Sequence, residues 1–170
     1  MGRGKDTAHF KVAAADEESC LVQTDYMFLG KDGHLTATNQ QSLATIQVLY
    51  DTQGGAIQAV MVKVKGQNTG YPVAVAVQLL DSLGAHKVVL QSDGERSLIK
   101  HCAAVKAQRL SPTILRTTPK ASHQSNGGVE RANQTLGGWI RTNKMQVEKA
   151  YGIEISEDHY LLPWLVRHAA

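Results

Sequence analysis

The stretch that most constrains this chain is a polar loop running directly into a long periodic segment. Residues 122–133 read Ser-His-Gln-Ser-Asn-Gly-Gly-Val-Glu-Arg-Ala-Asn. From Val129 onward, Val129, Ala132, Leu136, Trp139, Ile140 and Val147 fall on one arc at about 100° per residue. The opposite arc carries Glu130, Asn133, Gln134, Gly137, Arg141, Lys144 and Glu148. The pattern predicts a helix that runs to about Tyr151, is stopped by Gly152, and takes Asn126 or Gly127 as N-cap. Its apolar arc faces a core, and Glu130 looks out from the first turn of a polar, largely basic face.

Upstream, Cys20 to Leu29 alternates with apolar residues on most of both faces, the mark of a central strand. Asp25 lies inside it, on the face of Leu21, Gln23, Met27 and Leu29. An unpaired carboxylate in a buried strand costs several kcal/mol, so Asp25 must emerge at an edge or bind a cation. Two further strands, Ala44–Tyr50 and Ala56–Val64, flank the hairpin signal Asp51-Thr52-Gln53-Gly54-Gly55, which completes an antiparallel meander.

Tyr71 to Leu83 reads as a helix, with Pro72 at its start, Gly84 after it and Val73, Val77, Leu80 and Leu83 toward the core. Lys87–Gln91 is a short buried strand left through the turn Ser92-Asp93-Gly94. Glu95–Arg109 is a helix with Leu98, Cys102, Val105 and Ala104 for the core. Thr113–Thr117 is a strand, and a last helix spans His159–His168. The order is βββ-α-β-α-β-α-α. Residues 1–18 read as a loose leader and 19–170 as one domain.

At 170 residues the chain is long enough for a proper core. Its 42% apolar and 19% charged residues are ordinary for a globular domain. No apolar run approaches the roughly 18 residues that span a bilayer, so no membrane partner is expected. Cys20 and Cys102 lack neighbours at zinc-ligand spacing, and buried thiols are the expectation. The net charge of +3 hides an asymmetry. Residues 1–95 hold 7 Lys and Arg against 10 Asp and Glu, a balance of −3; residues 96–170 hold 11 against 5, a balance of +6. The basic part is the part that a phosphate backbone would choose.

Gln124-Ser125-Asn126-Gly127-Gly128-Val129-Glu130-Arg131-Ala132-Asn133 resembles the segment around the last catalytic glutamate of retroviral and retrotransposon integrases. In that segment a Pro-Gln pair leads into Asn-Gly and then Glu-Arg-x-Asn. Here the proline is replaced by His123 or lies earlier, at Pro119. The resemblance covers roughly residues 20–150 and favours the retrotransposon type. It implies an RNase H-like α/β fold: a mixed five-stranded sheet, antiparallel in its first three strands and flanked by helices.

The resemblance also implies a triad of Asp25, Asp93 and Glu130, both catalytic and metal-binding. Thirty-six residues separate Asp93 from Glu130, close to the family's usual gap. The second motif departs from the family, where Asp-Asn-Gly is followed shortly by Glu and an aromatic residue. Here it is shortened to Asp93-Gly94-Glu95-Arg96. Two Mg²⁺ or Mn²⁺ ions are the implied cofactors, because hard divalent ions take oxygen ligands and a pair of them can clamp an in-line phosphoryl displacement.

Taken singly, each acid has an ordinary structural reading: a strand end for Asp25, a turn aspartate for Asp93, a first-turn dipole residue for Glu130. Their joint occurrence on the right elements carries the reading. Asp32, Asp51 and Asp81 lie in turns or near a helix end. The first helix has no acid in Tyr71–Gln78, where an RNA-cleaving ribonuclease H would need one.

The implied activity is DNA end processing and strand transfer for a retroelement, with element ends and target DNA as partners and a homo-oligomer forming on DNA. The implied location is the nucleus, with assembly in the cytoplasm. Arg116, Lys120, Asn126, Arg131, Asn133, Arg141 and Lys144 are the expected DNA contacts. The alternatives are a catalytically decayed or domesticated DNA-binding core, or another RNase H-like transposase or nuclease. The loop Pro119–Gly128 is expected to be mobile and to close over the scissile phosphate.

Overall fold

The computed structural model describes residues 19–30, 34–36, 42–63, 65–66, 70–118 and 126–170. The expected leader 1–18 lies outside them. The chain forms β1 (Ser19–Gly30), β2 (Ser42–Asp51), β3 (Ile57–Val62), α1 (Gly70–Ser82), β4 (Lys87–Ser92), α2 (Arg96–Gln108), β5 (Thr113–Thr117), α3 (Gly127–Tyr151) and α4 (Leu161–Ala169). The five strands make one sheet in the order β3-β2-β1-β4-β5. The β1–β2 and β2–β3 pairs are antiparallel; β1–β4 and β4–β5 are parallel. This is the RNase H-like arrangement expected from the element order, with β1 at the centre.

Alternation along β1 divides the core in two. Met27 and Leu29 join Ile46 and Val48 of β2 beneath Leu136 and Ile140 of α3 and Leu162 and Leu165 of α4. Cys20 and Val22 face the other way, toward Val73 and Leu80 of α1 and Cys102 and Val105 of α2. Among the described residues no helix is long and apolar enough to cross a membrane.

Asp51 closes the β2–β3 hairpin. Its carboxylate accepts the amides of Gln53 (3.0 Å) and Gly54 (2.8 Å) and the Cys20 thiol (3.2 Å). It is buried and structural, as a turn aspartate should be. Arg109, just past α2, is also buried. Its guanidinium donates to Asp81 Oδ1, to the carbonyls of Leu80, Ala85 and Pro112, and to Thr113 Oγ1. One side chain thereby ties the end of α1 and the end of α2 to the start of β5.

Two expected core faces are rotated in the structure. In α1 the buried set includes Val75, Ala76 and Leu79, while Val77 and Leu83 are only partly buried. In α3, Trp139 is 50% exposed, whereas Asn133, Gly137 and Lys144 are buried. The α3 arc is turned by roughly 40° from the one that hydrophobicity alone selects. The cause is close approach. A Cβ on Gly137 would lie 2.9 Å from Leu35 Cδ2, and a Cβ on Gly128 would lie 2.5 Å from Gln23 Oε1 and 3.1 Å from the Tyr50 ring. Those two glycines let the helix lie against the sheet along their own side.

Candidate metal centre and nucleic-acid interface

The register of the sheet opens a place beside Asp25. β1 and β4 pair from Ser19↔Lys87 to Thr24↔Ser92, and β4 then leaves the sheet through Asp93 and Gly94. Asp25 is the next residue of β1, so it faces Val48 of β2 on one side and the departing turn on the other. Parallel strands offer ligands their carboxyl ends at such a point. Asp93 Oδ1 accepts the Glu95 amide at 3.0 Å, which shapes the turn and aims the chain into α2.

Glu130 arrives from the opposite layer. Asn126 occupies the N-cap of α3, but its side chain makes no capping bond. Gln23 of β1 supplies that bond from a distance: its Oε1 accepts the Val129 amide at 3.0 Å. The first turn of α3 is thus fastened two residues from Asp25 along β1. One helical turn on, Asn133 Nδ2 donates to Asp25 Oδ2 at 3.2 Å. Val129 points into the core, which leaves Glu130 exposed at the rim.

Asp25 carries the clearest electrostatic signature. Its pKa is raised from 3.8 to about 6, chiefly by burial, with the carboxylates of Asp93, Glu130 and Glu95 adding to the rise and the Tyr26 amide opposing it. That amide donates to Asp25 Oδ1 at 2.8 Å. Three acids, from the β4–α2 turn and α3, therefore act on Asp25 of β1. Among the described residues, no group of three or more His, Cys, Asp or Glu side chains is gathered closely enough to form a ready-made metal cage.

Glu95 was not expected in this cluster. The signal was the shortened motif itself, which brings a second acid within two residues of Asp93. Gln23 also went unassigned, although alternation had placed it on the face of Asp25.

The expected DNA contacts fall into three groups. Arg131 is exposed on the first turn of α3, with Nε donating to the Gly127 carbonyl at 3.2 Å. Arg141 lies farther along, with Nη1 2.9 Å from His34 Nδ1. Arg116 on β5 is half-buried, and its Nε has no hydrogen-bond partner among the described residues. Asn126, Asn133 and Lys144 are buried. The Lys144 ammonium is held at 2.7 Å by Glu148, whose Oε1 also accepts the Ile155 amide, so Lys144 joins α3 to the segment before α4 instead of facing a phosphate. Lys120 and residues 119–125 of the expected mobile loop lie outside the described residues. Its last residues depart from the expectation: Gly127 and Gly128 are helical, and Gly128 is packed.

A cavity of about 290 Å³ lies between Tyr26, Phe28 and Leu35 on one wall and Glu130 and Asn133 on the other. A second, of about 250 Å³, shares Leu35 and Gln134 with it and reaches Gly137, Gly138 and Arg141. A groove therefore leads from the acids along α3. A larger cavity, of about 510 Å³, lies between the β3 edge and the start of α4 and contains none of the expected site residues.

No family model matches the sequence, and no curated protein does either. Among solved structures, the chain is similar to one in the cryo-EM structure of the simian T-cell lymphotropic virus intasome in complex with PP2A regulatory subunit B56 gamma. The TM-score is 0.46 and the identity 11%, over 88% of this chain and 47% of that one. This chain spans about half the length of the chain it matches.

Proposed function

We propose that this chain is an integrase-type polynucleotidyl transferase of a retroelement, cutting and joining DNA phosphodiesters with the help of divalent cations. The observation that carries the reading is Asp25: a half-buried strand carboxylate raised to about 6, chiefly by burial, with the charges of Asp93, Glu130 and Glu95 adding to the rise. Structural carboxylates are not held this way; Asp51, more deeply buried, is surrounded by donors.

The donor set fits Mg²⁺ or Mn²⁺, since every group is a hard carboxylate oxygen and the cluster lacks compensating charge at Asp25. Asp25, Asp93 and Glu130 would hold the cations, which in such sites activate the attacking oxygen and stabilise the leaving one. The protein's own part is orientation. Gln23 fixes the first turn of α3 and so the reach of Glu130, and Asn133 fixes Asp25 Oδ2. Arg131 and Arg141 line the approach with positive charge for a DNA backbone. Element ends and target DNA are the substrates of this reading, with multimers assembling on DNA in the nucleus.

The reading is tested by nicking or strand transfer on element-end DNA with Mg²⁺ or Mn²⁺. Asp25→Asn, Asp93→Asn and Glu130→Gln should each lower the rate by at least about a hundredfold while the fold persists, and near-normal activity in any of them would remove that residue from the site. A second reading, a DNA-binding core that does not cut, is favoured by the separation of the carboxylates. It predicts salt-dependent DNA binding with no cation dependence and no loss on Asp25→Asn.

A further inference from the structure

The groove along α3 ends in two basic side chains that face each other. His34 follows β1 and is exposed, Arg141 lies on α3 and is half-buried, and Arg141 Nη1 stands 2.9 Å from His34 Nδ1 and 3.2 Å from its Nε2. Backbone bonds put His34 there. β2 holds one edge of β1 as far as Gly30, while β4 leaves the other after Ser92. Residues 34–36 fold back onto that second edge. Leu35 bridges Leu29, the Thr36 amide donates to the Phe28 carbonyl at 2.9 Å, and the Gly30 amide donates to the His34 carbonyl at 2.6 Å. Leu35 also packs against α3 at Gly137, where a Cβ would lie 2.9 Å from its Cδ2.

The cavity of about 250 Å³ beside this pair is lined by both of them with Leu35, Gln134, Gly137 and Gly138, and none of these is an acid. Arg141 is the charged group that shares the cavity with His34; Glu130 lines the adjoining one, and Lys31 and Asp32, which precede His34, lie outside the described residues. Beyond the Nη1 contact the guanidinium makes no hydrogen bond among the described residues, so Nε and Nη2 remain for a ligand. Arginine is a donor only, so the imidazole must be neutral to accept from it. A protonated ring at this distance is a second cation, tolerated where an anion is shared between the two. A phosphodiester supplies that anion, with two oxygens for the arginine fork and a lone pair to spare for an imidazolium N–H. We propose that His34 and Arg141 form a clamp for one backbone phosphate of DNA in the groove, and that closing it draws one proton from solvent onto His34. This rests on reading the chain as a DNA-binding enzyme, and it adds a residue that the reading leaves out.

The test is fluorescence anisotropy of a labelled DNA duplex with the full chain, without divalent ions, at fixed ionic strength from pH 5.5 to 8. Histidine side chains change charge in this range, and wild type should bind about tenfold more tightly at pH 5.5 than at pH 8. His34→Gln can accept from Arg141 but never becomes a cation, so it should lose most of that gain. The other histidines titrate in both proteins, and the difference between the two belongs to His34. His34→Lys, a permanent cation, should bind at pH 8 about as tightly as wild type does at pH 5.5. Arg141→Ala should lower the salt slope at pH 8 by about one. Equal pH slopes in wild type and His34→Gln overturn the clamp. If His34→Gln fails to fold, His34→Lys with wild-type affinity at pH 8 does so. Wild-type protein that binds no duplex DNA at any pH overturns the DNA-binding reading itself, a failure distinct from loss of the clamp alone.

Discussion

Two charges at opposite ends of this sheet, one buried and one half-buried, are treated in opposite ways. The Arg109 guanidinium, its side chain 1% exposed, has five acceptors: a carboxylate, three carbonyls and a hydroxyl. Asp25 has one amide from its own neighbour and one from Asn133, and the remaining charges that act on it are other carboxylates. Arg109 is a finished structural joint, where burial is compensated on every side. Asp25 is an uncompensated carboxylate, where the fold tolerates a repulsion that, on the proposed function, a bound cation would relieve. Chains keep such a cost where chemistry needs it.

Mutation should separate the two most sharply. Arg109→Met leaves five acceptors without their donor and should destabilise the fold by about 3–5 kcal/mol, with activity falling only as the folded fraction falls. Asp25→Asn should do the reverse, removing activity while leaving the melting temperature unchanged or higher. Chemical denaturation of both variants at pH 8 checks this; a large destabilisation by Asp25→Asn would break the comparison.

The second contrast concerns the glycines that begin α3. Gly128→Ala forces a methyl into Gln23 Oε1 and Tyr50 and should cost about 1–3 kcal/mol, because Gln23 must give up the Val129 amide or shift. Gly127→Ala meets nothing within 4 Å and should change stability by less than about 1 kcal/mol. Urea midpoints of the two single variants measure this, and equal effects would mean that the α3 docking geometry is wrong.

The contrast also has a pH dependence. Asp25 has a folded pKa of about 6 against an ordinary 3.8, so its contribution to stability is fully present below pH 3.8 and is lost as pH rises through 6. His101 on α2 behaves in the opposite sense. Burial lowers its pKa from 6.5 to about 4, so its contribution is present above pH 6.5 and lost as pH falls through 4. Between pH 4 and 6 the two offset each other in the wild type. Asp25→Asn should therefore raise stability on the order of 2 kcal/mol at pH 8 and steepen the loss toward pH 4. His101→Gln should flatten that loss. Melting temperatures across pH 4–8 decide it.

The smallest expected effect separates two cations on α3. Arg141→Ala should lower the salt slope of DNA binding by about one, whereas Lys144→Ala should leave the slope alone and lower the melting temperature. Equal slopes would place both on the interface or neither.

These contrasts also mark what the sequence could and could not reveal. The strands and helix ends were legible because they depend on local causes: the alternation of β1, the Asp51–Gly55 turn, Pro72 and Gly84 around α1, and Gly152 after α3. Asp25, Asp93 and Glu130 were legible as candidates from their elements and spacing. The five acceptors of Arg109 were not, since three are carbonyls, which carry no side-chain identity, and Leu80 lies 29 residues away. Gln23 caps a helix that begins more than a hundred residues later in the chain. Trp139 and Lys144 exchanged sides because periodicity fixes the width of an apolar arc but not which flank a neighbour such as Leu35 touches. Glu95 was hidden by its own motif, read there as a missing spacing and not as an added acid.

The most direct test of the account is the titration of the Asp25 carboxyl carbon, followed by NMR with and without Mg²⁺. The account predicts a midpoint near pH 6 in the metal-free protein, set by burial and neighbouring acids, and a clear fall of that midpoint when Mg²⁺ is added. An ordinary midpoint near 3.8, or one that ignores Mg²⁺, would contradict the claim that this end of the sheet is built to hold a cation.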